Sequence, residues 1–184
     1  MSARKGFWWV TAAATLGVVV TMLLGNWQLN RAAEKLTLQA AIDARQQQPA
    51  IGNAELLAAG DGTALVHRTV RLQGQWRADL TVFLDNRQMG GRPGLFVMTP
   101  LQLRNSQTLV MVQRGWVPRN FLDRGQLPRV ATPDGEVALV ARVAPPPSKL
   151  YEFKGGDNGV LRQNLDLPEF ARETGVAVLT RISV

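Results

Sequence analysis

Cysteine is absent from this 184-residue chain, and His67 is its only histidine. The lack of cysteine excludes disulfides and thiolate chemistry. A single imidazole is a poor basis for a zinc or copper site, because such sites draw on several histidine or cysteine ligands. The composition therefore argues against a protein-built metal centre.

Lysine is also scarce. Four of the 21 basic residues are lysine and 17 are arginine, and the formal net charge is +7. Arginine suits bidentate contacts to carboxylates, phosphates or propionates, although a bias in codon usage would give the same composition. The arginines are scattered along the chain, so the sequence predicts no nucleic-acid-binding stripe.

Charge is missing altogether from one long stretch, Gly6–Asn30, which lies between Lys5 and Arg31. About 20 apolar residues in a helix are enough to cross the hydrocarbon core of a bilayer. Trp8 and Trp27 lie near its two ends, where aromatic side chains meet the membrane interfaces. The apolar run is too long for a cleaved signal peptide, so we predict an uncleaved anchor.

The sequence predicts three regions. Residues 1–30 form the N-terminal flank and membrane anchor, residues 31–50 form a juxtamembrane stalk helix, and residues 51–184 form an extracytoplasmic domain. The stalk has no glycine or proline before Pro49 and is rich in helix formers. The basic flank, Arg4 and Lys5, favours a cytoplasmic N-terminus. We therefore expect a single-pass protein of the cell inner membrane with its main domain in the periplasm.

Beyond residue 64 the pattern changes to short alternating or apolar runs separated by glycine and proline. This texture is typical of an antiparallel, mainly β domain of the barrel or sandwich kind. A short late helix is expected at 167–174, between Pro168 and Gly175. The predicted strands are 65–74, which contains His67, 80–86, 94–103, 108–117, 136–143, 160–165 and 176–182.

Polar side chains stand at several of the predicted strand ends. Asp85, Asn86 and Arg87 place a carboxylate, an amide and a guanidinium together, followed by three nearby glycines. They form either a polar clamp for a ligand or partner or a hairpin turn with a local Asp–Arg pair. Arg114 and Trp116 offer a cation and a ring for a flat anionic ligand, or an arginine stacked on a core tryptophan.

Two further groups complete the candidate binding residues. Trp27, Gln28 and Arg31 lie where the predicted helix leaves the bilayer, a position that interfacial anchoring also explains for Trp27 and Arg31. Arg162 lies within a short apolar strand. No nucleophile elbow, phosphate loop or paired acids occur, and His67 beside an arginine is better explained as a structural or surface residue than as a base. We therefore expect no enzymatic activity, and a hydrolase is the least favoured hypothesis.

In order along the chain, these stretches resemble the surfeit locus protein 1 family of cytochrome oxidase assembly proteins. The matching residues are Gly25, Trp27, Gln28, Arg31, Lys35, Leu84–Arg87, Gly94, Thr99–Leu101, Arg114–Pro118, Gly159 and Arg162–Asn164. Each block is short, but their order after a single anchor is specific. The resemblance covers residues from about 20 to about 170.

The resemblance implies a chaperone-like role in the biogenesis of a haem-copper terminal oxidase of the respiratory chain. It implies transient handling of haem A and contact with the catalytic subunit and the haem A synthesis machinery. Family members carry a second C-terminal membrane helix with a histidine proposed as a haem ligand, whereas this sequence ends at Val184 in a predicted strand. We therefore assign no axial ligand; the sequence is either a shortened piece or a variant of the family pattern. The alternative function is a membrane-tethered envelope module that binds a lipid or protein and has no link to respiration.

Overall fold

The structure, a computed structural model, describes residues 3–120, 126–151 and 159–184, with side chains from residue 6 onward. Two compact units divide the chain: Met1–Gln47 and Gln48–Val184. The basic side chains of Arg4 and Lys5 lie outside the described residues.

The first unit is one helix, α1, from Ala3 to Gln46. From Gly6 onward it is long and apolar enough to cross a membrane, and its most apolar window has a mean hydropathy of 1.9. The hydroxyl of Thr11 donates to the carbonyl of Phe7 at 2.9 Å, one turn back along the helix. Such bonds satisfy polar side chains without any partner outside the helix. The predicted continuation of the apolar helix into a stalk is confirmed.

The second unit is mainly β, as predicted, with a short late helix. Its elements are α2 (Asn53–Ala58), β1 (Thr69–Trp76), β2 (Val82–Met89), β3 (Arg92–Leu103), β4 (Leu109–Pro118), β5 (Glu136–Arg142), β6 (Leu161–Arg162) and α3 (Leu167–Thr174). Asp166 caps α3 by accepting a hydrogen bond from the backbone N–H of Glu169, and Gly175 ends it in the left-handed conformation.

The six strands form one mixed sheet that does not close, with the path β5-β1-β3-β2-β6 and with β4 paired to β3. β3 is the central strand: β4 follows one edge of it, while β1 and β2 share the other edge at its two ends. All pairs are antiparallel except β2 with β6, which is parallel. The sheet is thus an open relative of the barrel or sandwich that the sequence predicts.

The predicted seventh strand, 176–182, is wrong as a continuous strand. Instead, isolated bridges join Val178 to Leu109 and Ser183 to Ala144. The backbone of Val184 turns to β4 and donates to Met111 O at 2.9 Å. Because successive residues bond to different neighbours, no single ladder runs through this C-terminal segment. The predicted sixth strand is likewise shortened to the two residues of β6.

The prediction that His67 lies on an alternating strand is also wrong. It precedes β1 and follows a short 3-10 turn, and its φ of 75° lies in the left-handed region. Its N–H donates to Val143 O at 2.8 Å. The alternation of apolar residues therefore extended the predicted strand too far toward the N-terminus.

Both faces of the sheet around β2 are covered. Leu84 is fully buried in a cluster with Phe96 on β3 and Phe170 on α3. On the other face, Phe83 packs with Leu95, Val97 and residues of the segment between β4 and β5. Because this part of β2 is covered on both faces, alternation along the strand does not bring its polar side chains to solvent. Any polar side chain that is buried in β2 must therefore find partners inside the domain, and this constraint shapes the candidate site.

Candidate functional site

A β-bulge interrupts β2 within the candidate polar group. Leu84 lies opposite Phe96 and Arg87 lies opposite Gly94, so Asp85 and Asn86 together face a single residue of β3. Asn86 adopts a φ of 58°, a left-handed conformation that asparagine tolerates better than most residues. The extra residue turns Arg87 onto the same face of the sheet as Leu84.

Arg87 is consequently buried, with 6% of its surface exposed. Its Nη2 donates to Gln163 O at 3.1 Å and its Nη1 to Ser148 Oγ at 3.3 Å. The guanidinium also lies 5.9 Å from the centre of the Phe96 ring. Burial lowers its pKa from the usual arginine value. Within the described part of the chain, no carboxylate forms an ion pair with it, and its Nε has no hydrogen-bond partner.

Trp116 ties β4 to this arginine. Its indole Nε1 donates to the backbone O of Arg87 at 2.8 Å. The ring lies directly over Gly94, where an added Cβ would stand 2.3 Å from Trp116 Cε2. Only glycine leaves room for the ring in this position.

Arg162 joins the late helix to the same face of the sheet. It pairs with Leu84 across β6 and β2 and is 8% exposed. Its Nη1 lies 2.9 Å from a carboxylate oxygen of Glu173, and its Nε donates to Gly159 O at 2.7 Å. The guanidinium lies 5.6 Å from the Phe170 ring centre. One arginine therefore fixes α3 to β6 by charge and ring contact together.

Asp85 and Asn86 point away from this arrangement. Asp85 forms an ion pair with Arg119 at 2.8 Å and also accepts the backbone N–H of Asn86 at 2.7 Å. The local Asp–Arg pair that the sequence suggests is thus formed with Arg119 rather than with Arg87. The Asn86 side chain is exposed.

Arg114 and Trp116 also serve different contacts. β4 carries one extra residue at Arg114, because Gly115 pairs with Val97 and Gln113 with Met98. Arg114 lies 4.7 Å over the ring of Trp76 and donates at 2.7 Å to both Thr132 Oγ1 and Ala131 O. Burial lowers its pKa. It stacks on a core tryptophan, as one reading of the sequence suggests, but that tryptophan is on β1.

Trp27, Gln28 and Arg31 belong to α1, in the first unit. All three side chains are exposed, and Trp27 is 57% exposed.

The structure therefore brings three of the sequence blocks into direct contact. Arg87 bonds to Trp116 through its backbone and to Gln163 through its side chain, and Gly94 lies beneath the indole. We call Arg87, Gly94, Trp116 and Gln163 the arginine–tryptophan junction. Sequence reasoning missed Ser148, Phe96 and Glu173, which complete the contacts. Of these, only Glu173 could have been found from the sequence, because its spacing of three residues places it on the same face of the predicted late helix as Phe170.

Chemically, the junction is suited to holding chain segments together. Three serines of the domain form hydrogen bonds to other groups of the chain: Ser148 Oγ accepts from Arg87, Ser183 Oγ donates to Pro145 O, and Ser106 Oγ accepts from Thr108 N. Across the described residues, no cluster of three histidine, cysteine or acidic side chains could hold a metal ion.

The fold and the site together define a β-sheet domain that follows one candidate membrane helix and is joined across its strands by buried arginines. The chain belongs to the SURF1 family, whose model matches residues 15–183. This match confirms the resemblance seen in the sequence.

Curated relatives carry the same family name or a related function in their names. The chain is 26% identical over 162 residues to the cytochrome oxidase assembly protein SHY1 of Saccharomyces cerevisiae, a match that covers 85% of this chain and 42% of the yeast protein. It is 29% identical over 133 residues to surfeit locus protein 1 of Arabidopsis thaliana, covering 67% and 38%. A SURF1-like protein of Rickettsia felis is 29% identical over 99 residues, covering 53% and 41%. The chain thus spans about two fifths of the length of these relatives.

Proposed function

We propose that this protein is an assembly factor for a haem-copper terminal oxidase, anchored in the inner membrane by α1 with its sheet domain in the periplasm. In this role it assists the delivery or insertion of haem A into the catalytic subunit. The observation that supports this most strongly is the family match over residues 15–183, together with a yeast relative named as a cytochrome oxidase assembly protein. The candidate membrane helix supports the anchored location.

Arginine and aromatic side chains within each of the two units support the handling of a flat, anionic cargo. Haem presents a large apolar ring and two carboxylate side chains. Guanidinium groups bind carboxylates in a fork, and aromatic rings pack on flat surfaces. Arg31 and Trp27 on α1 offer such groups at exposed positions, and Arg114 offers a half-buried guanidinium already stacked on a ring. No residue is assigned as an axial ligand.

The proposal is tested by deleting the gene and restoring it as wild type or as Arg114→Ala. We expect deletion to lower assembled oxidase and its haem A absorbance in membranes. The wild-type gene should restore both, and Arg114→Ala should restore them only in part. Haem titration of the full chain in detergent should show weaker binding for Arg114→Ala.

Oxidase spectra that do not change on deletion would refute the assembly role. Copurification from detergent then separates the two functional classes. Oxidase subunits should be recovered with an assembly factor, whereas an envelope module unrelated to respiration should not retain them.

A further inference from the structure

β5 is an edge strand with few of the features that protect such edges. All seven of its residues pair with β1 in an unbroken register, from Thr69 with Arg142 to Gln75 with Glu136. It contains no proline, lysine or bulge. Regular, apolar and exposed edges of this kind are prone to pair with another strand.

Within the part of the chain that the structure describes, the outer edge of β5 is open between 136 and 142. At its C-terminal end, the N–H of Val143 donates to Arg68 O on the β1 side, and Ala144 exchanges two 2.8 Å hydrogen bonds with Ser183 on the opposite side. Because backbone groups alternate in an antiparallel strand, the N–H and C=O groups of Ala138, Val140 and Arg142 point away from β1. Among the described residues, none donates a backbone hydrogen bond to this edge between 136 and 142.

The side chains of β5 are incompletely covered as well. Val140 is 70% exposed. The inward row of Val137, Leu139 and Ala141 is only half-buried, whereas Leu72, which lies opposite Leu139 on β1, is fully buried. A further strand beside β5 would cover the flank of this apolar row.

The charges at the two ends of β5 fit a second β5 strand. Within one copy, Glu136 lies 3.3 Å from Arg104 at an exposed position, so a contact across the pair would share this carboxylate with Arg104. In an antiparallel pair of two β5 strands centred on Leu139, Glu136 of each copy lies opposite Arg142 of the other. The same register places Ala138 opposite Val140, so the outward-pointing backbone groups face each other. Parallel pairing would place like charges together, and a shift by one pairing step would leave Arg142 without Glu136.

Two structural stops limit the pairing to these seven residues. On one side, Ser183 occupies the edge beside Ala144. On the other, Gly135 adopts a φ of 84° and turns the chain out of the strand direction. The second copy can therefore pair only with Glu136 to Arg142, because Ser183 of the C-terminal segment occupies the edge beyond Arg142.

From these observations we infer that a second copy of this chain pairs with β5 across a two-fold axis, joining two sheets into one. This inference goes beyond the proposed assembly role and does not depend on it.

Charge swaps test the pairing in the full-length chain in mild detergent. Glu136→Arg alone gives arginine opposite arginine at both ends, and Arg142→Glu alone gives glutamate opposite glutamate. Each change converts two attractive cross-strand pairs into repulsive ones, and we expect each variant alone to dimerise about tenfold more weakly than wild type. An equal mixture of the two variants has only opposite charges across the pair, so it should regain the dimer. Sedimentation velocity provides the measurement, and circular dichroism confirms that each variant is folded.

A second experiment fixes the register and captures weak association. The chain has no cysteine, so introduced thiols are unique. Ala138→Cys mixed with Val140→Cys should form a disulfide-linked heterodimer on oxidation, several-fold above the level given by Ala58→Cys on the exposed surface of α2. Cross-linking no greater than that of Ala58→Cys would overturn the inference. A dimer that persists equally in both single charge variants would also overturn it, because its interface would lie elsewhere.

Discussion

The contact between Gly94 and Trp116 gives the most direct test of the junction. Gly94→Ala places a Cβ 2.3 Å from Trp116 Cε2, 2.4 Å from Cζ2 and 2.4 Å from Val117 O. Two of the three atoms belong to a large ring and one to the backbone, so the added methyl group has no free space. The ring must therefore move, and its bond to Arg87 O at 2.8 Å is lost.

Three terms determine the expected size of the effect. Overpacking of this kind costs about 1–3 kcal/mol, and loss of a partly buried hydrogen bond costs about 1 kcal/mol or somewhat more. Replacing glycine in a strand returns about 0.5 kcal/mol through the unfolded state. We expect Gly94→Ala to lower the free energy of unfolding by about 1.5–3.5 kcal/mol, a large share of the stability of an ordinary domain.

Urea denaturation of the full chain in mild detergent, followed by circular dichroism, measures this change. Gly52→Ala is the matched control, since its new Cβ meets no atom within 4 Å, and it should cost less than about 1 kcal/mol. Trp116→Phe removes the N–H donor but keeps an aromatic ring, so it should cost about 1 kcal/mol.

The double variant Gly94→Ala/Trp116→Phe should cost less than the sum of the two single changes, because both remove the same hydrogen bond. Full additivity, or a cost for Gly94→Ala no greater than that for Gly52→Ala, would show that the indole position does not depend on this glycine.

Three further predictions concern the polar contacts around the sheet. Glu173→Ala should destabilise the fold by about 1–2 kcal/mol, because it removes the Glu173 carboxylate from the buried Arg162 cation. Replacing both residues by apolar ones should cost less than the two single changes together, and equal costs would contradict this account. Asp166→Ala should cost about 1 kcal/mol through loss of the α3 cap, and Asp166→Asn should cost less. The hydrogen bond from Lys149 is the main cause that lowers the pKa of Asp166. The stabilisation from this carboxylate is therefore complete above its usual pKa of 3.8, and it is lost as pH falls through the lower pKa of the folded protein. Acid titration of unfolding should show a smaller loss of stability in Asp166→Asn than in wild type. Arg114→Met should free the segment held at 131–132 and speed tryptic cleavage at Arg129, and unchanged cleavage would show that other contacts hold the segment.

Local patterns were enough to predict most, but not all, of the regular elements. The charge-free run before Arg31 and the absence of helix breakers up to Pro49 predicted α1, because both signals depend on neighbouring residues only. The strong apolar runs predicted β3 and β4 to within two residues. These features follow from periodicity and turn residues, which act over short distances.

Features that depend on distant partners could not be predicted in this way. The bulge at Asp85 and Asn86 depends on the pairing of β2 with β3, so no local pattern indicated that Arg87 would be buried. Arg114 found its tryptophan on β1 for the same reason. The C-terminal segment looked like a strand because it is apolar, yet its apolar residues fill gaps between other strands. The sequence alone was enough to select Arg87, Arg114 and Arg162 as candidate residues, but it did not indicate what their side chains contact.

The C-terminal segment also affects when the domain can fold during synthesis. Ile182 is fully buried, and the backbone of Val184 bonds to β4, which lies far from it in the sequence. Until residues 182–184 have left the ribosome exit tunnel, the hydrophobic core lacks Ile182 and stays incomplete. We infer that the domain closes late, once the residues up to Val184 are available for packing, and that α1 has by then had time to reach its destination.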